Sequence, residues 1–451
     1  MGDLRTSGVD GRERAMGAEE LFFSTTDRRG VIRQGNSVFV RISGYSLDEL
    51  VGAPHNTVRH PDMPAGLFRL IWDRLNAGRP VGAYMKNRTK DGGSYWVFAV
   101  ISPLHDGYVS VRMAPCGPLF EFAKRVYAQA LRLEREAVQR DGMNRHDAAL
   151  LGMAEIEASL WKRGYASYEE FMLHVLPQEV SARSRLRKRG YARPGAQGSI
   201  AEVLSGTGAL DGMLDELVGR LAGYQKLGEE LSTTSAKVLD IAHRLNASVA
   251  AATEASELVA ESAPVLANVA RVMAGPMNKA VDALERLQTE FGRLRTDVAH
   301  LRFQISLASL YNDMAAAFAA EVFDRVAPPE SLTAVPLLCD AAGSCIAEMS
   351  EQVQRVNAAL RDIAHLVTQT GTSLEEFRRF IGQWRNLVLR HDAGRVLGDK
   401  VHPIDEEISV SWEWMELLRN LGRQYESAIV PCDPALLQTH LNKIRIAPAS
   451  L

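Results

Sequence analysis

The chain has 451 residues, of which 46% are hydrophobic and 24% charged, and its formal net charge is −3. That balance excludes a disordered chain and argues against a nucleic-acid binder overall. The length calls for two or more structural units, because a single core seldom grows past about 250–300 residues. Four cysteines, Cys116, Cys339, Cys345 and Cys432, show neither CxxC nor metal-ligand spacing, which points to a reduced, cytoplasmic compartment. The opening residues lack the apolar core of a signal peptide, and no run of ~18 uninterrupted apolar residues is present, so a soluble protein is expected.

In chain order, residues 21–26 are a strand candidate closed by the Asp27-Arg28-Arg29-Gly30 turn, and residues 31–34 pair back as a second strand. Asn36 can cap a short helix that carries Val38, Phe39 and Ile42 and ends at Gly44. The run His55-Asn56-Thr57-Val58-Arg59-His60-Pro61-Asp62-Met63-Pro64 follows. Its prolines, with Pro54, rule out one continuous helix, so two imidazoles, a guanidinium and a carboxylate sit on an irregular segment beside a core, where ligand-binding groups concentrate. Phe68, Ile71, Trp72 and Leu75 fall at helical spacing before Gly78. Three further strands are expected at about 81–89, 94–103 and 107–113. The sum is an α+β domain of antiparallel strands wrapped around short helices, with an interior pocket.

Asn36, Phe39, Ser43-Gly44-Tyr45, the whole 55–64 run, Trp72, Lys86-Asn87-Arg88, Tyr95-Trp96-Val97 and Ser110-Val111-Arg112, in this order, resemble the PAS sensor domain of bacterial aerotaxis receptors. The resemblance covers residues 18–115. It implies a PAS fold and bound FAD, held by Arg59, His60, Asp62 and Trp72, with Asn36 and Asn87 counted in the same set. The chemistry suits that role: Arg59 can form forked hydrogen bonds to phosphate, Trp72 offers a stacking face, and Asn87 can read a carbonyl and imide edge. Where the family has tryptophan after Gly-x-Pro, this chain has Val81. An apo PAS domain, and haem ligation through His55 or His60, are the other readings of the same residues.

After Pro118 the pattern turns helical. Residues 119–191 are a helical connector broken near Asp141-Gly142 and Gly164. It ends in Arg183, Arg185, Arg187, Lys188, Arg189 and Arg193, read as a solvated helix end and alternatively as a surface for membrane or nucleic acid. Residues 192–200 are a linker and 201–451 an elongated all-α bundle or coiled coil. Apolar seams run through 214–252, 277–308 and 353–388, and breaks are expected at Gly275-Pro276, Pro328-Pro329 and His391–Pro403. The unbroken 277–308 seam suggests a homodimer.

No catalytic constellation is present and no enzyme activity is expected. Asp405-Glu406-Glu407 reads as a helix start, and Trp412 and Trp414 as core anchors. Leu245-Asn246-Ala247-Ser248-Val249-Ala250-Ala251 resembles, over seven residues, the receptor tip that binds a chemotaxis histidine kinase and its coupling protein. The sequence therefore suggests a soluble redox or oxygen sensor with a helical output, or alternatively a non-catalytic PAS coiled-coil scaffold.

Overall fold

The structure, a computed structural model, describes residues 12–450 except 188–189, 392, 394–415, 417, 421 and 426–427. The acidic run at 405–407, Trp412 and Trp414 lie outside the described residues. Five strands, β1 (Leu21–Asp27), β2 (Ile32–Gly35), β3 (Val81–Arg88), β4 (Ser94–Leu104) and β5 (Gly107–Met113), form one antiparallel sheet in the order β2-β1-β5-β4-β3. Between β2 and β3 come α1 (Ser37–Ser43), α2 (Leu47–Leu50), a 3-10 turn (His55–Val58) and α3 (Ala65–Asn76). Asn36 caps α1, and Gly44 ends it in the left-handed conformation, with φ of 74°, that a Cβ would strain.

Helices follow: α4 (Phe120–Arg140), α5 (Arg145–Lys162), α6 (Tyr168–Leu186), α7 (Gly198–Glu257), α8 (Pro264–Phe323), α9 (Val335–Arg390) and α10 (Pro434–Ile446). The fold is thus a five-stranded antiparallel α+β domain followed by long helices; α7 and α8 each have 60 residues and α9 has 56. The chain divides into two compact units. One comprises Met1–Glu216, Ala299–Ser350 and Asp433–Leu451; the other comprises Leu217–Val298 and Glu351–Cys432.

In the first unit strand side chains alternate between two faces of the sheet, and helices cover both. One face turns toward α1 and α3. The opposite face is covered by α6 and α8: Tyr84 donates its hydroxyl to Glu179 at 2.5 Å, and Tyr168 donates to the Gly82 carbonyl at 2.9 Å. Phe318 meets Phe23 edge-on at 5.2 Å, and Tyr311 donates to the Ser102 hydroxyl. Two arginines at the end of α6, Arg183 and Arg187, are tied to carboxylates. Arg183 is buried and donates to Asp313 at 2.5 Å and to the Tyr191 hydroxyl at 2.7 Å, Arg187 reaches Asp313 at 2.9 Å, and Arg193 pairs with Asp324. Carboxylates more than a hundred residues downstream take three of the clustered cations, Arg183, Arg187 and Arg193, while Arg185 is exposed.

In the second unit α7 and α8 form an antiparallel hairpin. Gln288 donates to Ser235 at 2.6 Å, and Thr253 donates to the Ala270 carbonyl at 3.2 Å nearer the turn. The reversal lies at residues 258–263 and not at Gly275-Pro276, as expected from sequence; Pro276 sits inside α8. A mid-helix proline costs about 3 kcal/mol. Met273, Met277 and Ala280 around it are fully buried, and each buried methionine returns about 1.5–3 kcal/mol. Trp384 of α9 is buried in this unit and donates to Ser256 at 3.1 Å.

The 277–308 seam is buried within the single chain, so it does not need a second copy to cover it. One stretch within Pro329–Arg390 is apolar enough to cross a membrane by length and composition, but 56% of it is buried inside the protein, as a core helix would be. Cys116, Cys339 and Cys345 are free thiols.

Candidate functional site

The inner face of the sheet and the 55–64 segment enclose a cavity of about 260 Å³. Strand register builds its floor. Ser24 lies opposite Ser110, and Thr26 opposite Tyr108, across β1 and β5; Ile101 of β4 and Met85 and Asn87 of β3 complete the row. Phe68, Ile71, Trp72 and Leu75 of α3 form the facing wall. At the mouth, Trp72 is 37% exposed and meets Tyr108 edge-on at 5.6 Å.

The irregular segment is fixed by backbone bonds. The His55 N–H donates to the Gly30 carbonyl at 2.8 Å, His60 to Lys86 at 3.3 Å, and Arg59 forms a β-bridge with Asn87. The Arg59 guanidinium lies 3.8 Å over the Phe68 ring and donates to the Met63 carbonyl at 2.9 Å. Burial lowers its pKa, and the Glu134 carboxylate opposes that shift.

Three of the six residues singled out from sequence, Arg59, Trp72 and Asn87, therefore line one cavity. The other three sit elsewhere. Asn36 is consumed by the fold: its oxygen accepts from Phe39 and Phe23, and its amide donates to the Leu21 carbonyl at 2.7 Å. His60 is 1% exposed, and its Nδ1 accepts the Asp62 N–H at 3.1 Å. Asp62 is half-exposed and pairs with Lys86 at 3.1 Å and Arg135 at 3.4 Å. Burial pushes the Asp62 carboxyl upward, but Lys86, His60 and Arg135 outweigh it and the pKa is lowered. Val81 is buried and does not line the cavity, whose aromatic walls are Phe68, Trp72 and Tyr108.

Two further cavity residues carry chemistry: His55, read from sequence only as an alternative haem ligand, and Arg112, matched in the resemblance but given no site role. His55 accepts from Arg112 Nη2 at 2.8 Å, and Arg112 Nε donates to Ser110 at 3.1 Å. Desolvation and the adjacent Arg112 charge hold the His55 pKa well below its usual value, so the ring is neutral. The alternation of Ser110 and Arg112 on a strand that also carries buried Val109 and Val111 was the available signal: two polar residues on one face of a core strand. Buried polar atoms remain without partners here, namely the Asn87 amide nitrogen and Arg112 Nη1, with the Tyr95 hydroxyl on the strand position opposite Asn87. Unsatisfied groups of this kind are what a bound ligand relieves.

Residues 34–111 match the family described as the PAS fold. Over 99 residues the chain is 47% identical to the aerotaxis receptor of Escherichia coli, a match covering 21% of this chain and 20% of the receptor. It is 30% identical over 82 residues to the biofilm dispersion protein BdlA of Pseudomonas aeruginosa, covering 18% of this chain and 20% of that one. It is 31% identical over 81 residues to the nitrogen fixation regulatory protein of Klebsiella pneumoniae, covering 18% and 16%. The chain thus spans a fifth or less of the length of these curated relatives. Among solved structures, a light-oxygen-voltage domain matches 24% of this chain and 83% of its own, at 21% identity and a TM-score of 0.21. The N-terminal part of this chain is a PAS domain, related to that of the aerotaxis receptor and followed by a long helical region.

Proposed function

We propose that this chain is a soluble, cytoplasmic signalling protein whose PAS domain holds FAD, senses redox or oxygen state through it, and passes the change to the helical region without catalysing a reaction. The observation that carries the reading is the convergence of Arg59, Trp72 and Asn87 on one cavity, in a segment 47% identical to an aerotaxis receptor. The cavity suits the ring end of the cofactor. Its volume lies just below the roughly 300–1,000 Å³ of whole-ligand pockets, so a flat ring system fits and the rest of a dinucleotide belongs at the mouth, where Arg29 and Arg59 supply cations. When bound, a flavin supplies the electron-accepting chemistry. The protein's residues orient it, exclude water and set the charge around it.

A haem reading fits less well. His55 Nε2 is already engaged by Arg112, and His60 does not line the cavity. The route out of the domain is short: α8 packs directly on the sheet through Tyr311 and Phe318. The partner we propose is a chemotaxis-type histidine kinase with its coupling protein.

The test is the visible spectrum of the purified full chain. Flavin bands that disappear in Arg59→Ala, with the circular dichroism unchanged, support the reading. An intense Soret band moves it to haem. A colourless protein that cannot be reconstituted with FAD removes the redox reading and leaves the scaffold. Pull-down of the kinase and coupling protein from oxidised and dithionite-reduced samples tests the output, and no binding in either state ends the chemotaxis proposal.

A further inference from the structure

Arg112 is 3% exposed and lines the cavity, yet it has no carboxylate partner. Its contacts are Ser110 at 3.1 Å, the neutral His55 at 2.8 Å and the face of Phe22 at 4.6 Å, and Nη1 has none. Burial lowers its pKa to about 10, which leaves it charged at neutral pH. Isolating a guanidinium in this way costs several kcal/mol, and buried charges are ordinarily paired. Elsewhere in the same unit the other arginine buried among the described residues, Arg183, follows the rule and pairs with Asp313. The uncompensated cation therefore lines a cavity into which a counter-charge can arrive from outside the chain.

We propose that Arg112 is the residue through which the cavity selects its ligand by charge, holding a planar ring more tightly when the ring edge is negative than when it is neutral. The inference rests on the flavin reading only for the identity of the ring. Two electrons and one proton from a soluble reductant leave one negative charge on a flavin ring, so the cation makes the reduced ligand the better bound. An opposite charge at close range is worth one to three pK units, about tenfold or more in relative affinity. For a two-electron couple a tenfold change is about 30 mV.

The experiment compares the full-length protein with Arg112→Gln and Arg112→Lys. With FAD bound, Arg112→Gln is expected to lower the midpoint potential by about 30 mV or more, and Arg112→Lys, which keeps the charge, to preserve most of it. A potential unchanged in Arg112→Gln overturns the proposal. Arg112→Met replaces the Gln variant if that one does not fold. Where the wild type or the variant carries no FAD, two fluorescent probes decide independently of it: anionic 8-anilinonaphthalene-1-sulfonate and its uncharged analogue N-phenyl-1-naphthylamine. A loss of tenfold or more for the anionic probe alone supports the charge selection. An equal change for both probes, or none, overturns it. A wild type that binds the anionic probe through Arg112 but never FAD removes the flavin reading and leaves this one standing.

Discussion

Glu134 of α4 caps α3 from 68 residues away: its two carboxylate oxygens accept the Ala65 and Gly66 N–H groups, each at 2.8 Å. The residue before α3, Pro64, provides no side-chain cap of its own. A carboxylate at a helix N-terminus completes two orphan donors and complements the helix dipole. The approach is close: a Cβ on Gly66 would lie 2.2 Å from the Met153 nitrogen, and one on Gly152 1.9 Å from the Glu134 carboxylate. Glu134→Ala is expected to cost about 2 kcal/mol or more, since hydrogen bonds to charged groups are worth ~1.5–3 kcal/mol each. Because α3 carries Phe68 and Trp72, the same change should weaken ligand binding in the cavity it never touches. Chemical denaturation and ligand titration of one preparation check both; a variant with wild-type affinity and lowered stability would restrict Glu134 to a folding role.

The Arg183–Asp313 pair gives a second prediction. Removing one partner of a buried pair leaves the other charge unpaired, at a cost of about 3–5 kcal/mol. Asp313→Asn should therefore unfold the first unit at markedly lower denaturant. The double variant Arg183→Leu with Asp313→Leu should recover part of that loss, because the buried Arg183 charge is removed together with its partner; only Arg187, whose side chain is 16% exposed, then loses its carboxylate. Urea midpoints of the three proteins measure the difference.

Tyr311→Phe removes the one hydroxyl that α8 offers to Ser102. Loss of a buried neutral hydrogen bond is worth about 1 kcal/mol, with up to ~3 kcal/mol if Ser102 stays unsatisfied. A modest drop in melting temperature is expected, with the cavity ligand still bound but its state less tightly coupled to α8. Limited proteolysis of α8 with the ligand oxidised and reduced should differ in the wild type and converge in the variant.

His55 sets a pH dependence whose sign follows from its lowered pKa. The folded chain keeps the ring neutral where the unfolded chain protonates it, so its contribution is complete above about pH 6.5 and falls as the pH drops below that value. In His55→Gln the amide oxygen can still accept from Arg112, but nothing titrates. The stability advantage of wild type over this variant should therefore shrink between pH 7.5 and 5.5. Urea denaturation at the two pH values reads it directly, and a constant difference would mean that His55 is not buried as a neutral ring.

Local signals carried the domain's outline into the sequence. Strand alternation, the Asn36 cap and the Gly44 stop are decided within a few residues of themselves. Arg59 and Trp72 were legible through the resemblance to the aerotaxis PAS domain, and Asn87 through its place on a strand of the sheet. His55 and Arg112 were not legible as a pair, since 57 residues separate them and only the strand register brings them together. His60 and Asp62 follow Arg59 directly, yet on irregular backbone successive side chains turn to different sides, and theirs turn away from the cavity. Arg183 and Arg187 read as solvent-facing because Asp313 lies 130 and 126 residues away. Pro276 read as a break because proline is costly in any isolated helix; the buried methionines that outweigh it belong to tertiary packing.

Coverage of the sheet by α6 and α8 has a consequence for how the sensor can be handled. Leu21, Phe23, Phe98, Val109, Val111 and Met113 are each 1% exposed or less, and all lie on the face those helices occupy. A fragment cut after Pro118 would present them to water as a contiguous apolar surface, of the kind that drives self-association. Self-association of such a fragment would report the amputation and not the native oligomer, so biochemistry on this domain calls for the helices that cover its back.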